Sequence, residues 1–279
     1  TLRIIALLCL LVLVATSLRL RARLAAGEAA YPPEGQIVDV NGTRIHAVVQ
    51  GSGPDLVLIH GSSGSTRDMT FALMPHLTER YRVIALDRPG LGYSDRLKGD
   101  ESIAAQARVL QQAAATLGAE RPLVLGQSYG GAVALAWAVH HPEALSALIA
   151  VAAPSQRWDG PLPWLYRMNS SALGSAVAVP LIAAWVPDGY VRREIAGVFA
   201  PQAMPDGYAD AIGAPLILRP ASLRATARQR ATLKVEITQL QPRYPEIAVP
   251  VEVVHGTADP TVPFEIHATP LVEQVQTAA

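Results

Sequence analysis

Ser128 stands between two glycines in the stretch Gly126-Gln127-Ser128-Tyr129-Gly130-Gly131. A hydroxyl placed this way can attack a carbonyl carbon if it sits on a sharp strand-to-helix turn with backbone N–H groups facing it. The flanks have that form: the apolar run Leu123 to Leu125 stops at Gly126, and an Ala-rich helical pattern starts behind Gly131. The glycines have a steric reason, because so tight a turn strains the backbone and closes only where Cβ atoms are missing. With 21 Gly in 279 residues, Gly-x-Ser-x-Gly arises by chance in roughly one such chain in ten, so the flanking strand and helix give the motif its weight. A second group is Asp259, in His255-Gly256-Thr257-Ala258-Asp259 behind the apolar run Val251 to Val254. An acid there can orient a base. It can also cap its own turn, since Asp before Pro is a common turn former, but its place at a strand's C-terminal end favours chemistry.

Composition excludes several classes. Half of the residues are hydrophobic, enough for one large α/β core, and 23 basic residues balance 23 acidic ones, which leaves no basic stripe for nucleic acid. The one cysteine, Cys9, cannot form an internal disulfide, and the seven His are scattered apart from His140-His141, so no metal site and no cofactor are predicted.

The elements that must position Ser128 and Asp259 alternate along the chain. Gln36 to Val40 and Arg44 to Gln50 read as a hairpin closed by a type I′ turn at Asn41-Gly42. Leu56 to Ile59 is a continuous apolar run, as in a strand buried on both faces of a parallel sheet. A helix over 67–77, a strand Arg82 to Leu86, a helix Ser102 to Leu117, the Ser128 strand and helix, and a strand Ala147 to Val151 come next. Strands alternating with helices predict a doubly wound, mostly parallel α/β sheet. From Pro154 to about Pro245 only helical pieces occur, among them Leu173 to Trp185 and Leu223 to Leu240, with three of the four Trp: an inserted helical cap. The sheet resumes at Val251.

Ahead of all this, Ile4 to Leu18 is unbroken apolar sequence flanked by Arg3 and by Arg19, Arg21 and Arg23. It spans about 22 Å as a helix, enough to cross a bilayer if Leu2 and Leu20 join and the arginines snorkel. A cleaved signal should show a small-residue site directly behind the run, and here arginines intervene before Ala25-Ala26 and Ala29-Ala30, which favours an uncleaved single-pass anchor. The arginines behind the span favour the inner side of the membrane for the α/β core, though charges ahead of Thr1 would compete with them.

With His60-Gly61, the loop Asp87-Arg88-Pro89-Gly90-Leu91-Gly92-Tyr93-Ser94, the Ser128 turn and His255 to Asp259 in this order, the chain resembles the α/β-hydrolase fold family from about Gln36 to Phe264. The resemblance implies Ser128 as nucleophile, the backbone N–H groups of Tyr129 and Ser62 as oxyanion hole, and Asp259 as the acid that orients a catalytic His. The family places that His after one more helix and strand, and twenty residues beyond Asp259 suffice for the helix alone. The C-terminal strand and helix and the base are therefore expected beyond Ala279, with His267 a minor candidate. His60 is expected to be structural, His46, His76 and His140-His141 to lie at the surface or at helix ends, and Arg88 to serve the turn in preference to the substrate.

The expected organisation is an anchor or signal segment at 1–24, a linker at 25–35, hydrolase core at 36–153 and 246–279, and the cap at 154–245. The expected activity is cleavage of an ester-like bond in a small, largely apolar molecule through an acyl-enzyme. Carbon-carbon bond hydrolysis or cyanohydrin cleavage on the same scaffold, and a non-catalytic binding protein, are the alternatives. A Ser in place of Asp argues against epoxide hydrolase or dehalogenase chemistry.

Overall fold

The computed structural model describes residues 1–278. Its first element, α1 (Leu2–Ala30), is one helix about 44 Å long at 1.5 Å per residue, long and apolar enough to cross a bilayer. It runs through the first part of the expected linker. Ala25 to Ala30 contains only one weak breaker, Gly27, and the helix stops just before Pro32-Pro33, which cannot continue it. The linker that is left, Tyr31 to Gly35, is pinned by Arg67, which donates to Pro32 O at 2.8 Å and pairs with Glu34 at 2.9 Å.

The hairpin of β1 (Gln36–Val40) and β2 (Thr43–Gln50) closes with φ of 52° at Asn41 and 80° at Gly42, the two positive values a type I′ turn needs. Next along the chain are β3 (Asp55–Ile59), α2 (Thr66–Thr70), α3 (Leu73–Leu77), β4 (Arg82–Leu86), α4 (Ile103–Thr116), β5 (Leu123–Gln127), α5 (Tyr129–His140) and β6 (Ala147–Val151). The single helix predicted over 67–77 is thus two short ones. Ser65 and Asp68 cap the first as a capping box, and the backbone leaves helical geometry at Ala72, where φ is −136°. Between β6 and β7 (Val251–Val254) lie α6 (Trp164–Ser170), α7 (Ala172–Trp185), α8 (Asp188–Gly197), α9 (Tyr208–Ala211), α10 (Ala214–Ile217) and α11 (Pro220–Leu240), with no strand among them. α12 (Phe264–Gln274) ends before residue 278, so the residues behind Asp259 hold more than the helix alone that was expected there. The segment behind it turns back to the sheet, where Val251 N–H donates to Thr277 O at 3.2 Å and Ala278 bridges Val251 in parallel.

The seven strands lie in the order β1-β2-β4-β3-β5-β6-β7, parallel from β4 to β7 with the hairpin antiparallel at one edge. The central strands read as apolar runs because both faces are covered, and Leu56 to Ile59 and Val83 to Leu86 are all buried. α5 is apolar all round for the same reason. It lies between the sheet and α4, and every residue from Tyr129 to Val139 is buried.

One polar knot ties this core. Asp87, fully buried at the end of β4, takes His46 Nδ1 at 2.7 Å and Tyr93 N–H at 2.8 Å on one carboxylate oxygen and Thr66 N–H at 2.6 Å on the other. His46 is therefore a core residue, not the surface residue expected on the hairpin; its other ring nitrogen meets Glu34 O. Burial alone would raise the Asp87 pKa, but the hydrogen bond and charge of His46, the neighbouring His60 and the Tyr93 N–H hold it below the usual carboxylate range. Asp87→Ala strips three buried donors of their acceptor at once. We expect it to lower unfolding free energy by about 3–5 kcal/mol in urea titration, and a loss below about 1 kcal/mol would mean that the knot is dispensable.

Candidate active site

Ser128 follows β5 directly and precedes α5, and its backbone sits at φ 52°, ψ −122°, a region that a side-chain-bearing residue enters only where its surroundings force it. Three glycines make that possible. A Cβ on Gly126 would collide with Gly130 O, one on Gly130 with Ile59 O, and one on Gly131 with the Cβ of Ala153. The turn is then stitched by Ser128 N–H to Val151 O at 2.8 Å and by Gly131 N–H to Ser128 O at 2.8 Å.

The loop after β3 comes within touching distance of this turn. A Cβ on Gly61 would lie 3.2 Å from the Cβ of Ser128 and would overlap the Gln127 side chain, so only glycine allows the approach. The Gly61 carbonyl accepts from Arg88 Nη2 at 3.0 Å, and in a planar trans peptide the N–H of Ser62 points the opposite way. Neither Ser62 N–H nor Tyr129 N–H, the first in the loop and the second at the start of α5, meets an acceptor among the described residues.

Arg88 is the hub of the arrangement. Fully buried, it donates from Nε to His60 O at 3.0 Å, from Nη1 to the side-chain oxygens of Gln106 and Gln229 at 2.9 and 2.8 Å, and from Nη2 to Gly61 O, while its guanidinium lies 4.1 Å from the Tyr129 ring centroid. Burial depresses its pKa to about 10, which leaves it cationic at neutral pH. Its backbone N–H donates to His60 Nε2 at 2.9 Å and His60 Nδ1 meets Gly61 O at 2.9 Å, so His60 is a neutral structural ring, its pKa driven down to about 3 by burial and then by the Arg88 charge.

Asp259 lies two strands away on the same edge. Ser128 N–H bonds the end of β6 at Val151, and Ala152 N–H bonds the end of β7 at Val254 O at 2.9 Å, so the carboxyl ends of β5, β6 and β7 stand side by side across roughly 10 Å. Oδ1 of Asp259 accepts the N–H groups of Thr261 and Val262 at 2.8 and 2.9 Å, the turn-capping role open to an Asp that precedes Pro. Oδ2 has only the distant His255 Nε2, at 3.8 Å, and the side chain is 21% exposed.

His267 is bound elsewhere. It is 2% exposed, and its Nδ1 accepts the N–H groups of Ser155 and Gln156, each at 3.2 Å, while Ser155 Oγ donates to its carbonyl at 2.6 Å. No hydrogen bond joins Ser128 Oγ to any of the seven histidines among the described residues. A narrow cleft with room for about one water molecule opens beside the Ser62 loop, lined by Ser63, Gly64, Gly92, Ile212 and Leu216; neither Ser128 nor Asp259 lines it.

The geometry thus gathers Ser128, Tyr129 and Ser62 at one point and sets Asp259 on the same rim. Gln106 and Gln229 were not singled out from sequence. They come from α4 and α11, and no motif marks a glutamine that will solvate a buried cation.

The α/β hydrolase fold family model matches residues 54–269. An uncharacterised protein of Mycobacterium tuberculosis is 29% identical over 239 residues, covering 83% of this chain and 69% of its own. Haloalkane dehalogenase 2 of the same species is 35% identical over 123 residues, 43% of this chain and 42% of that one. Among solved structures, an α/β hydrolase fold protein from Burkholderia ambifaria superposes with a TM-score of 0.69 at 26% identity, covering 88% of this chain and 89% of that one.

The surroundings of His267 fix its behaviour with pH. Burial, and then the nearby His255, depress its pKa from 6.5 to about 4. Between those values the unfolded chain binds the proton and the folded one does not, so its contribution is full above pH 6.5 and is lost on acidification towards 4, on the order of 3 kcal/mol in all. His267→Gln keeps an acceptor for the two N–H groups but cannot titrate. Its stability, followed by denaturant titration from pH 7 to 4, should fall less steeply than that of the parent; parallel curves would rule this out.

Proposed function

This chain belongs to the α/β-hydrolase fold family, and from that premise we propose that it is a membrane-anchored serine hydrolase acting on ester-like bonds, with Ser128 as its nucleophile. The observation that carries the reading is the strained, glycine-enclosed turn that brings Ser128 against the Gly61-Ser62 loop. In this reading Ser128 Oγ attacks an acyl carbon, the carbonyl oxygen becomes an oxyanion between the N–H groups of Ser62 and Tyr129, and water later releases the acid. The start of α5 adds a favourable potential for that negative charge. Asp259 Oδ2 orients the imidazole that takes the serine proton. Of the seven histidines, His46, His60, His255 and His267 are tied into local hydrogen bonds, and His76, His140 and His141 lie at helix ends.

Serine also bears on the dehalogenase relative. Displacing halide from a saturated carbon calls for a carboxylate nucleophile, and a serine alkyl ether formed that way would have no carbonyl for water to attack, so that relative's activity is not carried over. The six helices between β6 and β7 act as the cap over the apolar substrate. α1 is read as a single-pass anchor, on its length, its apolar run and the arginines that follow.

An active-site-directed alkyl phosphonate should label the full-length protein at Ser128, and Ser128→Ala should lose labelling and reduce hydrolysis of p-nitrophenyl butyrate by roughly 10⁴-fold or more. An intact fold that takes no label at Ser128 would sink the assignment. Arg88 is a positioning residue, since it holds the Gly61 peptide whose partner N–H faces the serine. Arg88→Met should lower kcat by about 10–100-fold with KM changed less than about threefold, and Arg88→Lys should fall in between, because one point charge cannot replace the fork. A loss of thermal stability with kcat unchanged would leave Arg88 with a packing role alone.

A further inference from the structure

The helix α7 is built wrongly for a soluble cap. Between Ala172 and Pro187 there is no charged residue, and a helix that is apolar all round belongs either in a protein core or in lipid. Only one face of α7 is in the core, where Val179 and Ala183 are fully covered. The other presents Leu173, Val177, Leu181 and Trp185, spaced by four, with exposures of 76, 53, 40 and 47%. α6 turns away from α7 at 111° and adds Trp164, 66% exposed.

What lies next to this stripe is α1, at the level where its apolar run gives way to arginines. Thr16, buried although its neighbours in α1 are exposed, accepts from the indole N–H of Trp185 at 3.0 Å. Arg19 donates to Ala184 O at 2.7 Å and stacks on the Trp185 ring at 4.9 Å, and Arg23 donates to Val186 O at 2.8 Å and pairs with Asp188. The C-terminal end of α7 is thus fastened to the last turns of α1 before it meets the domain. A tryptophan between a hydrocarbon-length helix and an arginine cluster is the arrangement that suits a headgroup layer.

We propose that the exposed face of α7 rests in the interfacial layer of the same bilayer that α1 crosses, so that the cap is held on the lipid surface by a second, non-spanning contact. This rests on reading α1 as an anchor. The occupant is lipid and not a second copy or another protein, because the stripe is continuous with α1 at Thr16 and Trp185, and whatever covers it must fit against a helix already surrounded by acyl chains. An in-plane apolar face sinks about 5–10 Å below the headgroups, which is the depth that leucine and valine at 173–181 would occupy.

The test uses the full chain with Cys9→Ala and one new cysteine, at Val12 in α1, Val177 in α7 or Glu79 behind α3, each labelled with an environment-sensitive nitrobenzoxadiazole dye. The proteins are reconstituted into phosphatidylcholine vesicles with or without brominated acyl chains. The proposal expects blue-shifted emission that is quenched by bromolipid at positions 12 and 177, and water-like, unquenched emission at 79. Quenching at 12 with position 177 behaving like 79 overturns the proposal and leaves the anchor standing. Absence of quenching at 12 overturns the anchor and the proposal with it. Blue-shifted emission at 177 that bromolipid does not quench, and that grows with the protein-to-lipid ratio, assigns the stripe to a second copy and also overturns it.

Discussion

One buried cation organises the space around Ser128. Arg88 pairs with no carboxylate among the described residues, and a guanidinium withdrawn from water without a counter-charge is tolerated only if oxygens replace the water around it. Here two main-chain carbonyls, two glutamine oxygens and an aromatic face do so. The oxygens come from the loop after β3, from α4 and from α11, and the ring comes from the first residue of α5. Shifting any one of them exposes part of an unsolvated charge, so the loop, the core and the helical insertion are held to one arrangement by the electrostatics of a single side chain.

The backbone around Ser128 carries a different cost. A positive φ on a residue with a side chain is unfavourable by on the order of 1 kcal/mol or more, and it persists because the turn is gripped from three sides: by the end of β6 through its N–H, by Gly61 against its Cβ, and by the α5 residues behind it. The same grip leaves the two N–H groups with no internal partner. Unpaired donors at the rim of a core are normally disfavoured, and their presence close to Ser128 is the feature on which the proposed oxyanion role rests.

Much of this was legible in the residues. The glycines at 126 and 130 required a turn too tight for Cβ atoms, the apolar run at 56–59 required a strand covered on both faces, and Asn41-Gly42 required two positive φ values; each demand is local and each is met. Most of the failures have long-range causes. His46 reads as an exposed hairpin residue from its own neighbourhood, and only the arrival of Asp87, 41 positions later, makes it a core hydrogen-bond partner. Gln229 could not be found at all, since its role exists only once α11 has folded over Arg88. The helix α1 continues past the segment expected to end at residue 24, because helical backbone goes on for as long as nothing breaks it.

These contacts also form a continuous mechanical path. Trp185 and its neighbours fasten α7 to α1, Ser175 on α7 accepts from Arg224 on α11 at 3.0 Å, and α11 carries Gln229 onto Arg88, whose next contact is the Gly61 carbonyl behind Ser62 N–H. Every link is a hydrogen bond between well-separated parts of the chain, and the last acts on the orientation of a single peptide plane. A displacement of α1 relative to the core would therefore bear on each of these contacts in turn. The chain of contacts thus runs from the α1–α7 junction, beside the uncharged outer stripe of α7, to the peptide between Gly61 and Ser62.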